Sequence, residues 1–364
     1  MIKTTAGLFL SLFALAFIAP QAAAEPSASA KKAAAKKSAT QKPAPLKRKK
    51  RDAKDASFDE RENLVKKVVT VRGRKNVVYT RVASRPVVPV VPPVVSAGDL
   101  AGLNLVHDPL ALASNVALVI DQSNSQILFE KNSKVPLPMA SITKLMTGLI
   151  VVEARQDMEE ILEISEDDVD REKNSSSRLR VGSRLSRSEM LRIALMSSEN
   201  RAASALGRYY PGGRPAFVAA MNAKAKVLGM HETTYFDTTG LSSRNVASAR
   251  DLAKLVIAAH EQPILCEYTT DQQFVVSPGG RPLQYNNSNN LIKNPTWDIG
   301  LQKTGYISEA GRCMVIQAKI EGRSVVMVFL DSKGSMSRSA DAGRIRKWLE
   351  AFKPNKVAQA PATS

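Results

Sequence analysis

WDIGLQKTGYISEAGRCMVIQAKIEGRSVVMVFLDS, residues 297–332, decides the fold, because it holds three successive strand-like runs: WDIGLQKTGYI, RCMVIQAKIEG and RSVVMVFLDS. Apolar runs of this length, separated by short polar or glycine-bearing links, are what consecutive strands require. A matching pair stands far upstream. NVALVIDQSNSQILFEKN, residues 115–132, flanks the polar turn Gln122-Ser123-Asn124-Ser125 and reads as a hairpin. Between the two blocks the pattern is helical. From Ser141, SITKLMTGLIVVEARQ places Ile142, Leu145, Met146, Leu149 and Ile150 at helical spacing, so a buried helix starts almost at the serine. The spacing predicts further helices over 186–210 (SRSEMLRIALMSSENRAASALGRYY), 214–230 and 247–262, and a closing one over 339–352. Strands at both ends with helices between them imply an α/β or α+β sandwich whose terminal segments share one antiparallel sheet.

Upstream of that domain the chain changes character. MIKTTAGLFLSLFALAFIAPQAAAEP sets Lys3 before an apolar run from Ala6 to Pro20 and closes with Ala22-Ala23-Ala24, the pattern of a secretory signal peptide cleaved after Ala24. The run is shorter than the roughly 20 apolar residues that cross a bilayer, and no cysteine near the cleavage point offers a lipid attachment. From Glu25 to Arg85 there are 19 Lys plus Arg against 6 Asp plus Glu, out of 52 and 34 in the whole chain, so the basicity belongs to a tail. This Lys-, Ala- and Pro-rich segment has too little apolar surface to offset the entropy of ordering it. It reads either as an adhesive for anionic envelope polymers or as a solvated spacer. VVTVRGRKNVVYTRV fits a short hairpin around Gly73, and RPVVPVVPPVV an extended polyproline linker, with the folded domain expected from Leu100.

Two cysteines, Cys266 and Cys313, exclude a disulfide framework and leave one bridge open. The histidines, His107, His231 and His260, are too dispersed to suggest a metal cluster, which argues against a zinc hydrolase.

Ser141 and Lys144 stand three apart at a helix start, so both side chains emerge on one face within mutual reach. A serine hydroxyl is a poor nucleophile until a neighbour takes its proton, and a desolvated lysine with a depressed pKa does this without histidine. The positive end of the helix lies where an oxyanion would form. S-x-x-K by itself is a weak signal, better explained by a capping serine and a surface lysine. Two further elements change its weight: Ser198-Glu199-Asn200 at the end of the apolar segment LRIALM, and Lys303-Thr304-Gly305 in a strand-like run, where the glycine would let a substrate backbone approach. S-x-x-K, S-x-N and K-T-G in that order match the signature of class A β-lactamases and penicillin-binding proteins.

On these motifs, and on MASITKLMT, SSSRLRVG, LMSSENRAASALG, TTGLSSRNVASARDLAKL and QKTGYISEAGRCMV, the chain resembles the low-molecular-mass penicillin-binding proteins, the D-alanyl-D-alanine carboxypeptidases and endopeptidases. The likeness covers roughly Leu100 to Phe352 and is strongest to the endopeptidase type. It implies a five-stranded antiparallel sheet flanked by helices plus a helical subdomain. The organisation expected is a signal peptide over 1–24, tail and linker over 25–99, a catalytic domain over 100–352 and a disordered tail over 353–364. In the roles the resemblance implies, Ser141 attacks a D-alanyl carbonyl, Lys144 accepts its proton and Ser198 relays a proton to the leaving amine. Asn200 would hydrogen-bond the acylated peptide and help hold Lys144, Lys303 would supply positive charge near the substrate's anionic end, Thr304 would supply a hydroxyl contact, and Gly305 would belong to the substrate-binding set. The backbone N–H groups of Ser141 and Tyr306 would form the oxyanion hole. No metal or cofactor is implied. The expected partners are peptidoglycan peptides and, as covalent inhibitors, β-lactams; nucleic acid is not expected, and residence would be periplasmic.

Other residues read more plainly. Gly240-Leu241-Ser242, Asn245 and Arg250-Asp251 suit a turn before the next helix. Arg312 fits either a substrate carboxylate or an outward surface position, and Asn286-Asn287-Ser288-Asn289-Asn290 either a cleft wall or a set of turns. Two rival functions remain: a serine β-lactamase, for which Glu166 in ISEDDVDREKN would have to hold the deacylating water, and a catalytically silent wall-binding protein.

Overall fold

The computed structural model describes residues 64–71, 73–81 and 95–351. The signal peptide, most of the basic tail, the polyproline linker and the tail over 353–364 lie outside the described residues. The chain divides into two compact units, one ending at Val88 and the other starting at Pro89. In the first, β1 (Leu64–Val71) and β2 (Arg74–Arg81) pair antiparallel, with Gly73 at positive φ in the turn, as the alternation around that glycine predicts.

The second unit opens with α1 (Ala97–Leu100), capped by Ser96. β3 (Ser114–Asp121) and β4 (Ile127–Lys131) form the expected hairpin. A two-residue strand, β5 (Leu137–Pro138), then leads into α2 (Thr143–Glu153), followed by the short pair β6 (Ile161–Glu163) and β7 (Arg184–Ser186). Four helices come next in the chain, α3 (Arg187–Met196), α4 (Asn200–Arg208), α5 (Gly213–Val227) and, after β8 (Val246–Ala247), α6 (Ala249–His260). α7 (Pro263–Thr270), with proline in its first turn, precedes the small hairpin β9 (Gln273–Val276) and β10 (Leu283–Asn286). The domain closes with β11 (Asp298–Ile307), β12 (Gly311–Ile320), β13 (Arg323–Ser332) and α8 (Ser337–Ala351).

The strands from the two ends of the domain make one antiparallel five-stranded sheet in the order β11-β12-β13-β3-β4. The period of two explains why β3 is buried along its whole length: Val116, Leu118 and Ile120 point into one core, and Ala117 and Val119 into another. α6 covers the first face and α8 the second, so the sheet is the middle layer of three. The first core continues past the sheet into a helical subdomain built round α2, whose residues Thr143 to Val151 are all buried. A helix apolar on every side is what such a central position demands.

One helical expectation is corrected. The stretch 186–210 is two helices: the Ser186–Glu189 capping box starts α3, and the chain breaks at Ser197-Ser198-Glu199 before α4. Ser198 there has φ +66, a left-handed conformation that no helix interior accommodates. α7 and the β9–β10 hairpin carry too weak a periodicity to have been read from sequence.

Candidate active site

The turn before α2 aims the serine. Ala140 sits at φ +50, and Ala140–Ile142 forms a short 3-10 segment that runs directly into α2. Thr143 Oγ1 donates to the Ala140 carbonyl at 2.8 Å and accepts from Asn245 Nδ2 at 3.0 Å, which pins that turn from behind. Left-handed conformations at Ala140 and Ser198, one in each of the two loops that meet here, each cost on the order of 1–3 kcal/mol and persist only where surrounding contacts impose them.

Lys144, one turn after Ser141, is completely buried. Its Nζ donates to Ser141 Oγ at 2.9 Å, to Asn200 Oδ1 at 2.7 Å and to the Thr239 carbonyl at 2.6 Å, which uses all three ammonium protons. Burial lowers its pKa from 10.5 to about 7, against the opposing pull of the Asp237 and Glu199 carboxylates. Three neutral acceptors and no contacting carboxylate leave the charge poorly compensated, so the amine gives up its proton near neutrality. Asn200 is oriented in turn, because its Nδ2 donates to Ser175 Oγ at 2.9 Å.

The other predicted residues surround a cavity of about 460 Å³, lined by Ser141, Ser198 and Asn200 on the helical side and by Thr304, Gly305 and Tyr306 on β11. The room left at Gly305 is filled by the turn that carries Ser141: a Cβ there would lie 2.9 Å from Ser141 N and 3.0 Å from Ala140 Cβ. The three motif segments therefore converge. Lys303 differs from its sequence-stretch neighbours: it is fully buried, its Nζ donates to the Thr304 carbonyl at 2.8 Å, and it is not among the residues that line the cavity. Burial drives its pKa well below the usual lysine value, and the charges of Lys144 and Arg338 push the same way.

Sequence reading missed several groups here. Arg338, at the start of α8, lines the cavity and donates to the Gly305 carbonyl at 3.0 Å and the Cys313 carbonyl at 3.3 Å, yet it has no carboxylate partner among the described residues. Asp237 gathers the N–H groups of Thr239 (2.6 Å), Gly240 (2.5 Å) and Ser242 (2.8 Å), which turns the Thr239 carbonyl toward Lys144. The aspartate–glycine turn in FDTTG was the available signal. The block after it does support a turn, and it also builds the site: at Gly240, φ +81, a Cβ would overlap the Ala140 carbonyl.

None of the remaining candidates is among the residues that line this cavity. Glu166 begins a 3-10 turn, is exposed and lies 3.8 Å from Arg171. Asn287 and Asn289 bind backbone, as turn chemistry predicts, while Ser288 Oγ meets Thr304 Oγ1 at 2.6 Å. Cys266 and Cys313 are free thiols, the latter with its pKa pushed up to about 12 by burial.

The family model for D-alanyl-D-alanine carboxypeptidase matches residues 104–334. The chain belongs to that family. It is a serine hydrolase of the same kind as its relatives. It is 45% identical over 252 residues to a D-alanyl-D-alanine endopeptidase of Pseudomonas aeruginosa, covering 69% of this chain and 80% of the relative. A D-alanyl-D-alanine endopeptidase of Escherichia coli K12 is 40% identical over 255 residues, covering 70% and 81%. Among solved structures, the Streptomyces K15 DD-transpeptidase superposes with a TM-score of 0.63 over 68% of this chain and 100% of its own, at 24% identity, a likeness of fold. Among the described residues of this peptidase, no helix is long and apolar enough to cross a membrane.

Proposed function

We propose that this peptidase hydrolyses D-alanyl bonds in peptidoglycan peptides through an acyl-enzyme on Ser141, and that its preferred bond is the cross-link between two stem peptides. The observation that carries the chemistry is the 2.9 Å approach of a buried Lys144 Nζ, with pKa about 7, to Ser141 Oγ. Neutral Lys144 takes the hydroxyl proton as Oγ adds to the carbonyl carbon. The N–H groups of Ser141 and Tyr306 stabilise the oxyanion. Collapse expels the leaving amine, which receives its proton from Lys144 through Ser198, and water then cleaves the ester by the reverse proton path.

Charge sets the direction of the substrate. Lys173 on the cavity wall is paired with Glu309 at 2.5 Å, whereas Arg338 has no ion pair among the described residues, so the carboxylate of the leaving D-amino acid goes to Arg338 and the acyl peptide toward Asn200. Thr304 and Gly305 lie along its path, with Lys303 acting from beneath through Thr304. The preference for cross-links is supported by the endopeptidase relatives. Digestion of purified cross-linked muropeptides with mass analysis tests it. Release of monomers, abolished by Ser141→Ala, is expected; loss of a single alanine would make the protein a carboxypeptidase. Penicillin should label Ser141 covalently and persistently, and rapid turnover of a chromogenic β-lactam would favour the lactamase reading. The segment over 1–24 supports export to the periplasm, where the basic tail would meet anionic envelope polymers.

A further inference from the structure

A second cavity, of about 500 Å³, opens beside the first and shares Tyr306 and Ser308 with it. Its near end carries Arg312, the cross-strand partner of Tyr306 in the β11–β12 pairing. The Arg312 guanidinium lies 4.8 Å from the centre of the Tyr306 ring, which is 57% exposed. Arg312 forms no ion pair among the described residues, and neither does Arg338, whose guanidinium faces the adjoining cavity. The two cations are close enough that Arg312, after burial itself, lowers the pKa of Arg338. Two neighbouring guanidiniums without a counter-charge are a standing electrostatic cost that an anionic ligand relieves. The carboxylates of this second cavity do not supply that relief. Asp99 is held by Lys333 at 2.7 Å and Asn115, and Asp331 accepts from Ser96 Oγ and Asn115 Nδ2 at 2.8 Å each.

We infer that the second cavity is the subsite for the far peptide of a cross-link, and that Arg312, standing on Tyr306, recognises a carboxylate of that peptide beyond the one held by Arg338. This rests on the endopeptidase reading. A terminal D-alanine ends at its own carboxylate and would stop at Arg338. A cross-linked leaving group continues as a peptide bearing further carboxylates, and the path past Tyr306 and Ser308 is the continuation open to it. The site therefore distinguishes the two substrates by what lies beyond the leaving amine, where the acyl halves are identical. Its polarity also fits: an exposed aromatic face with a guanidinium above it suits a peptide with both apolar and anionic parts.

The test compares wild type, Arg312→Gln and Arg312→Lys on a purified dimer of cross-linked disaccharide-tetrapeptides, with acylation by fluorescent penicillin, which lacks the far peptide, as the reference reaction. Thermal melts establish that the variants are folded. Arg312→Gln should raise KM for the dimer about tenfold with kcat little changed, the worth of one charge-assisted contact, while penicillin acylation stays within about twofold of wild type. Arg312→Lys should recover part of the loss. Amidating only those free carboxylates of the dimer that lie beyond the one next to the scissile amine, which Arg338 holds, should bring wild type down to the level of Arg312→Gln. Equal KM for wild type and Arg312→Gln on the unmodified dimer would overturn the subsite while leaving the endopeptidase reading intact. Wild type that labels with penicillin yet leaves the dimer uncut would overturn both.

Discussion

Raising the pH from 6 to 8 should increase the acylation rate of Ser141 about tenfold. The perturbation acts on Lys144, which must be neutral to accept the hydroxyl proton and whose pKa burial lowers to about 7. A group with that pKa is about 10% neutral at pH 6 and about 90% at pH 8, and the rate follows the neutral fraction. The sign for stability runs the same way. Lys144 titrates lower in the folded state than its ordinary 10.5, so between pH 7 and 10.5 the unfolded chain binds more protons, and stability rises with pH through that window. Below pH 7 both states are protonated and the burial cost, on the order of 5 kcal/mol for a shift of this size, is present in full. The assay is the second-order rate constant for labelling by fluorescent penicillin across pH 5–10, with circular dichroism confirming the fold at each point. Lys144→Met should give a folded protein with negligible labelling at every pH. A rate that is flat between pH 6 and 8, or that turns up only beyond pH 9, would mean that the amine stays charged and another group activates the serine.

Three further outcomes follow from the same contacts. Glu199→Gln removes one of the two carboxylates that raise the pKa of Lys144, so the midpoint of the labelling profile should move to lower pH, read from the same rate series. Gly240→Ala should destabilise the fold by about 2–5 kcal/mol in urea titration and depress labelling, because a Cβ at φ +81 overlaps the Ala140 carbonyl beneath the nucleophile. Arg338→Gln should raise KM for a peptide ending in a free D-alanyl carboxylate by at least about tenfold and have a smaller effect on its carboxamide, since a charge-assisted hydrogen bond contributes roughly 1.5–3 kcal/mol. Equal loss on both substrates would place Arg338 in the structure of β11 rather than in recognition.

The five strands of the main sheet were legible because periodicity is a local property: β3, β4, β11, β12 and β13 each announce themselves within a dozen residues. The pairing of Ser141 with Lys144 was legible for the same reason, since one helical turn fixes their proximity. The chain also stated that Ser198, Asn200 and Lys303 to Gly305 belong together, but only as an ordered set of motifs, with no distance attached. The contact of Lys144 with Asn200, 56 residues away, was implied by the resemblance, but tertiary structure alone decided its third partner. The Thr239 carbonyl lies 95 residues away, and neither a backbone carbonyl nor its direction has a sequence signature. Arg338 lies just before the helix predicted over 339–352 and drew no reading, until α8 brought it to the Gly305 carbonyl of β11. Lys303 looked like a cleft cation until the sheet buried it. In each case the deciding quantity was removal from water, which depends on every layer of the fold at once and is written in no single stretch of the chain.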